Sequence, residues 1–215
     1  LAGKRALLMD QPQQAETPAA PADAGAEQRR ALGYNAVARL AGADCARFAS
    51  VARYLRALDL AAPEIFAAQP EHGFLLLEDL GNDLYTDVIA QGTNERRLYQ
   101  SAIAVLARLH DEPAPATLPG GLPLFAYDET ALLAETDLLT QWFVPAALGG
   151  PIPSGMAEEH RALWKTALSS CDPGKPVFVH RDYHAQNLIW RENHPALLRT
   201  GLIDFQDAVA GPAAY

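Results

Sequence analysis

The chain has 215 residues, 49% of them hydrophobic, and a formal net charge of −9. That length fits one large domain, or one and a half small ones, with a sizeable core. The acidic balance argues against a nucleic-acid backbone or an anionic membrane as the main partner, since both require a basic face.

The elements are read in chain order. Residues 5–9 predict a short strand, and the Pro-, Ala- and Gln-rich stretch from Gln11 to Ala26 predicts a loop. Glu27 to Leu40 predicts a helix with Leu32, Ala36 and Leu40 in register. A second helix is expected from Cys45 to Leu58, with Asp44 as its N-cap and Phe48, Val51, Leu55 and Leu58 on one face. After Pro63, residues 64–67 look like a strand entry, and residues 73–77 read as a buried strand that runs into Glu78-Asp79-Leu80-Gly81.

Helices are then expected over 84–90, 94–110, 129–143 and 156–169, the second with Leu98, Ile103, Leu106 and Leu109 near helical spacing. Residues 113–123 form a Pro/Gly-rich connection. The last stretch changes period, with short strands predicted at 177–179, 188–190 and 201–205 around a polar turn at 191–200. Cys45 and Cys171 are too far apart in sequence to suggest a disulfide framework or a metal site, and read as ordinary thiols. No apolar run approaches the ~20 residues needed to span a bilayer, and no signal-peptide pattern is read. The chain opens on Leu1 and stops at Tyr215, so further segments are expected beyond one or both ends.

The segment VFVHRDYHAQNLIW, residues 177–190, carries the chemistry. Metal-assisted phosphoryl transfer needs a carboxylate beside the acceptor hydroxyl and rigid oxygen ligands for Mg²⁺. His180-Arg181-Asp182 followed by Asn187, then Asp204 in Leu202-Ile203-Asp204-Phe205, matches that template. Asp182 is the candidate catalytic base, and Asn187 and Asp204 are the candidate metal ligands. His180 and His184 read as structural groups beside the site, and Asp207 as a carboxylate behind Asp204. Arg181 either pairs with a carboxylate or is solvated.

These residues, with "LLLEDLG" (75–81), "HRDYHAQNLIW" (180–190) and "GLIDFQDA" (201–208), resemble the aminoglycoside phosphotransferase family. They are closest to its branch of bacterial cell-wall-recycling kinases, which phosphorylate N-acetylmuramate and N-acetylglucosamine at the anomeric hydroxyl. The resemblance implies an α+β, protein-kinase-like two-lobed fold with an incomplete N-terminal lobe over 1–80 and a mainly helical C-terminal lobe over 81–215. It implies ATP as co-substrate, Mg²⁺, a small sugar acceptor and a cytoplasmic protein. No nucleic-acid or membrane partner is expected. It further implies nucleotide binding around Glu78, Asp79 and Leu80, and an acceptor wall drawn from residues 124–145, including Asp128, Glu135 and Trp142.

The chain departs from the family pattern at the phosphate anchor. The first strand carries no Lys; Met9 or Asp10 falls where one is usual, with Lys4 just before, and the expected Lys-pairing helix offers only Glu27. The Leu8-Met9-Asp10 run itself resembles the cell-wall branch. Three readings stay open: the amino-sugar kinase, an aminoglycoside phosphotransferase, and a non-catalytic kinase-like binding module. A protein kinase is favoured by Arg181 alone.

Overall fold

In the computed structural model, which describes residues 5–11, 20–21, 23–39, 44–172 and 174–215, the first layer is a three-stranded antiparallel sheet. Its strands are β1 (Ala6–Asp10), β2 (Ile65–Gln69) and β3 (Phe74–Glu78), in the order β1-β3-β2. Leu77 on the central strand pairs with Leu7 on one side and Ile65 on the other. Period-two alternation turns Leu75 and Leu77 inward and leaves Phe74 exposed, so the run read as fully buried has one solvent-facing side. Gly73 ends the β2–β3 turn at φ +81°, where a Cβ would collide with the Gln11 carbonyl oxygen.

The helix expected over 27–40 is broken. The first helix, α1 (Ala26–Leu32), ends at Gly33 with φ +101°, and a π-helical turn, Asn35–Arg39, follows. Glycine disfavours the helix interior by about 1 kcal/mol and readily takes the positive φ that redirects the chain. Ala36 is buried as expected, whereas Leu32 is exposed. Leu40, Lys4 and most of the loop expected over 11–26 lie outside the described residues.

Helix α2 (Cys45–Ala57) starts at Asp44, whose side chain accepts a hydrogen bond from the Ala46 N–H at 2.8 Å. Phe48, Val51, Leu55 and Leu58 are all buried, as their spacing requires. The helix packs on β2 and β3.

Beyond the sheet come α3 (Tyr85–Ala90), α4 (Glu95–His110), α5 (Glu129–Leu138), α6 (Val144–Leu148) and α7 (Met156–Ser170). A π-helical turn, Leu139–Phe143, joins α5 to α6. The buried stripe of α4 is Leu98, Ala102, Val105 and Leu109. Ile103, expected on that stripe, is exposed, because it lies off the 3.6-residue repeat set by the other four.

Two small antiparallel pairs complete the fold: β4 (Val177–Val179) with β7 (Val209–Gly211), and β5 (Leu188–Trp190) with β6 (Thr200–Leu202). Strand β7 was not legible in the sequence. The strand expected over 201–205 stops at Leu202, and Asp204 adopts φ +59°, outside the extended region.

One apolar cluster joins Leu75 and Leu77 of the sheet to Phe48, Phe178, Leu202 and Phe205. Phe205 stacks on Phe48 with ring centroids 4.7 Å apart, so the loop after β6 is anchored to α2. Among the described residues, no helix is long and apolar enough to cross a membrane. Cys45 is buried, Cys171 is exposed, and both are free thiols.

Candidate active site

Strand β4 leads directly into His180, Arg181 and Asp182. The His180 ring is almost fully buried and lies edge-on to Tyr183 at 5.5 Å and to Phe205 at 6.3 Å. Burial pushes its pKa down to about 4, against the pull of the Asp204 carboxylate. The imidazole is therefore neutral near pH 7, and its visible role is to pack one functional loop against the other. The Tyr183 hydroxyl donates to the Ala102 carbonyl at 2.7 Å and ties the loop to α4. Burial raises the phenol's pKa, which keeps that donor protonated.

A 3₁₀ turn, Ala185–Asn187, then presents Asn187. The Asn187 Nδ2 donates to the Asp182 carbonyl at 3.1 Å and to Asp204 Oδ2 at 3.1 Å. Gln206 Nε2 donates to the other Asp204 oxygen at 2.8 Å, and the Ile203 N–H donates to the Asn187 carbonyl at 3.3 Å. Both Arg181 (φ +74°) and Asp204 (φ +59°) sit in the left-handed region. Such conformations cost about 1–3 kcal/mol each and persist where surrounding contacts over-determine them, often at functional sites.

Asp182 and Asp204 are exposed and line a cavity of about 410 Å³. Asp207 and Arg181 share it, with Glu135 and Leu138 of α5, Tyr34 and Tyr215 as the remaining wall. The side-chain amide oxygen of Asn187 and the carboxylate of Asp204 are hard oxygen donors on adjoining side chains, which fits Mg²⁺. That ion typically takes one or two protein oxygens and completes its shell with water and substrate phosphates. Among the described residues, no group of three or more His, Cys, Asp and Glu is placed to hold a metal ion.

A second cleft, of about 540 Å³, opens between the sheet and the β5–β6 pair. Leu7 and Met9 line it from β1, Leu77 from β3, Leu80 from the connection that follows, and Ile189 and Ile203 from the opposite side. Ile203 and Asp204 are consecutive, yet one lines this apolar cleft and the other lines the acidic cavity. The two spaces therefore flank one turn of chain.

Of the three expected nucleotide-binding residues, Glu78 and Leu80 line the cleft and Asp79 does not. The Glu78 carboxylate is engaged, accepting from the Glu64 N–H at 3.1 Å and pairing with Arg56 at 3.3 Å and Arg191 at 3.7 Å. Asp79 accepts from the Gly81 N–H at 2.8 Å and pairs with Arg5 at 3.2 Å, so it shapes the turn.

The expected acceptor wall divides. Glu135 lines the cavity, but its carboxylate is ion-paired to Arg181 and accepts a bond from the Tyr215 hydroxyl at 2.9 Å. Arg181 also donates to the Ala38 carbonyl at 2.9 Å and lies 5.2 Å from the Tyr127 ring centroid. The choice left open by the sequence is settled: Arg181 is paired and largely buried. Asp128 is not in the cavity. It caps α5 through the Ala131 N–H at 2.9 Å and is ion-paired to Arg29. Burial would raise its pKa, but these partners hold it below the usual value. Trp142 is 72% exposed on the π-helical turn and is also absent from the cavity; Leu138, four residues earlier, takes that place.

His184 is exposed, with its Nε2 3.5 Å from Asn187 Nδ2. Asp207 is buried against the cavity, in the field of Arg47 and Arg181. Among the described residues lining the two spaces, Arg181 is the one Lys or Arg, and β1 supplies none.

Sequence reasoning missed Tyr34, Leu138, Tyr215, Ile189 and Ile203. The two isoleucines had a usable signal, since they sit beside Asn187 and Asp204 in apolar runs that must face something buried. Tyr34 is 148 positions before Asp182 and had none.

A sequence model of the phosphotransferase enzyme family matches residues 13–215. The N-acetylmuramate/N-acetylglucosamine kinase of Caulobacter vibrioides is 40% identical over 212 residues, which cover 97% of this chain and 58% of that protein. The kinase of the same name from Pseudomonas aeruginosa is 34% identical over 172 residues, covering 80% and 47%. The chain thus spans about half the length of these relatives. Among solved structures, the ADP-bound aminoglycoside phosphotransferase APH(2'')-Ib superposes with a TM-score of 0.51 at 20% identity, over 78% of this chain and 56% of that one. That likeness is one of fold, and it agrees with the α+β, protein-kinase-like architecture.

Proposed function

This chain belongs to the phosphotransferase enzyme family, and from that premise we propose that it is part of an ATP-dependent kinase that phosphorylates a hydroxyl of an amino sugar. The proposed acceptor is N-acetylmuramate or N-acetylglucosamine, the sugars in the names of its relatives. One observation carries the reading: the apolar cleft and the acidic cavity meet at Ile203-Asp204. A base stacked in the cleft, with backbone groups near Glu78 and Leu80 at its edge, would direct its phosphates toward Asp204. An acceptor in the cavity would meet them from the side of Asp182.

In this proposal the Asp182 carboxylate orients the acceptor hydroxyl and takes its proton as the oxygen bonds to the γ-phosphorus. The bond to the β-phosphate bridging oxygen breaks and ADP leaves. Asn187 and Asp204 would hold Mg²⁺, which offsets the negative charge of the transferring phosphoryl group. Such a kinase works where ATP is supplied, so a cytoplasmic location is part of the same proposal. The binding-module reading has less support, because it gives no reason for Asp182, Asn187 and Asp204 to converge.

The test is Asp182→Asn in the full-length protein, assayed with ATP, Mg²⁺ and both sugars, with aminoglycosides in parallel. Loss of a general base lowers turnover by about 10²–10⁴-fold, and ATP affinity should stay near wild type. A wild type that binds ATP but phosphorylates none of these acceptors supports the binding module. A variant as active as wild type removes Asp182 from the mechanism.

A further inference from the structure

The N-terminal segment 26–39 lies against the cavity, far in sequence from the residues that do the chemistry. Two arginines fasten it. Arg29, largely buried, donates to the Val37 carbonyl at 2.7 Å and is ion-paired to Asp128 at the start of α5. Arg181 donates to the Ala38 carbonyl at 2.9 Å and is ion-paired to Glu135, further along the same helix. The π-helical turn is therefore bound at consecutive carbonyls by cations that are themselves held by two carboxylates of one helix. Gly33, at φ +101°, breaks the helix just before Tyr34, and Tyr34 lines the cavity with Asp182 and Asp204.

We infer that Tyr34 contacts the acceptor and helps set which acceptor is used, and that Arg29 positions it from behind. The inference rests on the kinase reading above and goes beyond it. Tyr34 lines the Asp182 cavity and is absent from the apolar cleft, so its ring meets the acceptor and not the base of the nucleotide. The residue is 42% exposed. An aromatic face packs well on the C–H side of a pyranose, and the phenol adds a polar edge for ring substituents. N-acetylmuramate differs from N-acetylglucosamine by a lactyl ether, so a wall residue can tell the two apart by bulk and charge. Arg29 acts only through the segment it holds.

The experiment measures steady-state kinetics of full-length wild type, Tyr34→Ala, Tyr34→Phe and Arg29→Gln with both sugars, together with thermal melting. Removing one apolar contact in a pocket changes selection by about 10–200-fold. Tyr34→Ala should therefore raise the acceptor KM about tenfold or more and shift the ratio of kcat/KM between the two sugars. The ATP KM should stay within about twofold. Tyr34→Phe should retain most of the apolar contact and fold normally. Arg29→Gln should move the acceptor KM in the same direction. An active wild type whose Tyr34→Ala variant keeps its acceptor KM and sugar ratio overturns the inference and leaves the kinase reading standing, as does an equal rise in both KM values. A wild type inactive on both sugars overturns the reading and this inference with it.

Discussion

Asn187 donates from Nδ2 to Asp204 Oδ2 across 3.1 Å, joining the loop before β5 to the turn after β6. Two side chains separated by 17 residues of sequence, the pair proposed to hold the metal, are thereby brought together. Asp204→Asn keeps the shape and removes the charge that would face the metal. Loss of one preorganised electrostatic group typically lowers turnover by about 10²–10³-fold. Initial rates across a Mg²⁺ titration should show that loss, together with a higher half-saturating Mg²⁺ concentration. An unchanged Mg²⁺ requirement would exclude Asp204 as a ligand.

The Arg181–Glu135 pair holds the loop that carries Asp182 against α5. The Arg181 side chain is 9% exposed and that of Glu135 is 23% exposed. Breaking a buried pair costs about 3–5 kcal/mol; partial exposure of Glu135 reduces the expectation for Glu135→Gln to about 2–3 kcal/mol. Urea unfolding should record this as a lower midpoint with the slope preserved. A midpoint equal to wild type would mean that the pair adds nothing to stability.

His180 makes acid stability testable. Its folded pKa is lowered to about 4 by burial, from an unfolded value of 6.5. The unfolded chain therefore binds the proton more readily. The contribution of the neutral ring is fully present above about pH 6.5 and is lost as pH falls to about 4. The linkage amounts to about 3 kcal/mol over that window. Carboxylates titrate there too, so the measurement is the difference between wild type and His180→Gln. The wild type should lose more stability on going from pH 7 to pH 4, and parallel curves would refute the assignment.

Gly201 lies beneath the apolar cleft. A Cβ there would sit 3.2 Å from both Ile189 Cβ and Leu80 Cδ1, two side chains that line the cleft, and 3.3 Å from Arg191 Cδ. Gly201→Val should push those side chains into the space proposed for adenine. Overpacking of this kind costs about 1–3 kcal/mol, and the ATP KM should rise by about tenfold while the acceptor KM holds. An acceptor KM that rises instead would place the nucleotide elsewhere.

The sequence by itself carried what depends on short range. The period of α2, its Asp44 cap, and the five-residue offset from Asp182 to Asn187 are local patterns, because helix registers and loop motifs are set by neighbours a few residues apart. The same locality explains the misses. Ile103 shares the composition of the α4 stripe but not its face, and the strand after Gly201 was read too long because nothing in Ile203-Asp204-Phe205 announces a left-handed turn.

Only the tertiary structure decided which distant groups meet. Asp128 and Trp142 were reasonable candidates for the acceptor wall, but the first is consumed by a helix N-terminus and Arg29, and the second points to solvent. Tyr34 and Leu138 line the cavity instead. Arg181 finds Glu135 across 46 residues, and Ala38 across 143. The physical reason is that a buried cation must find a carboxylate or carbonyl wherever the fold supplies one, and that choice is made by packing between elements, which no local pattern encodes.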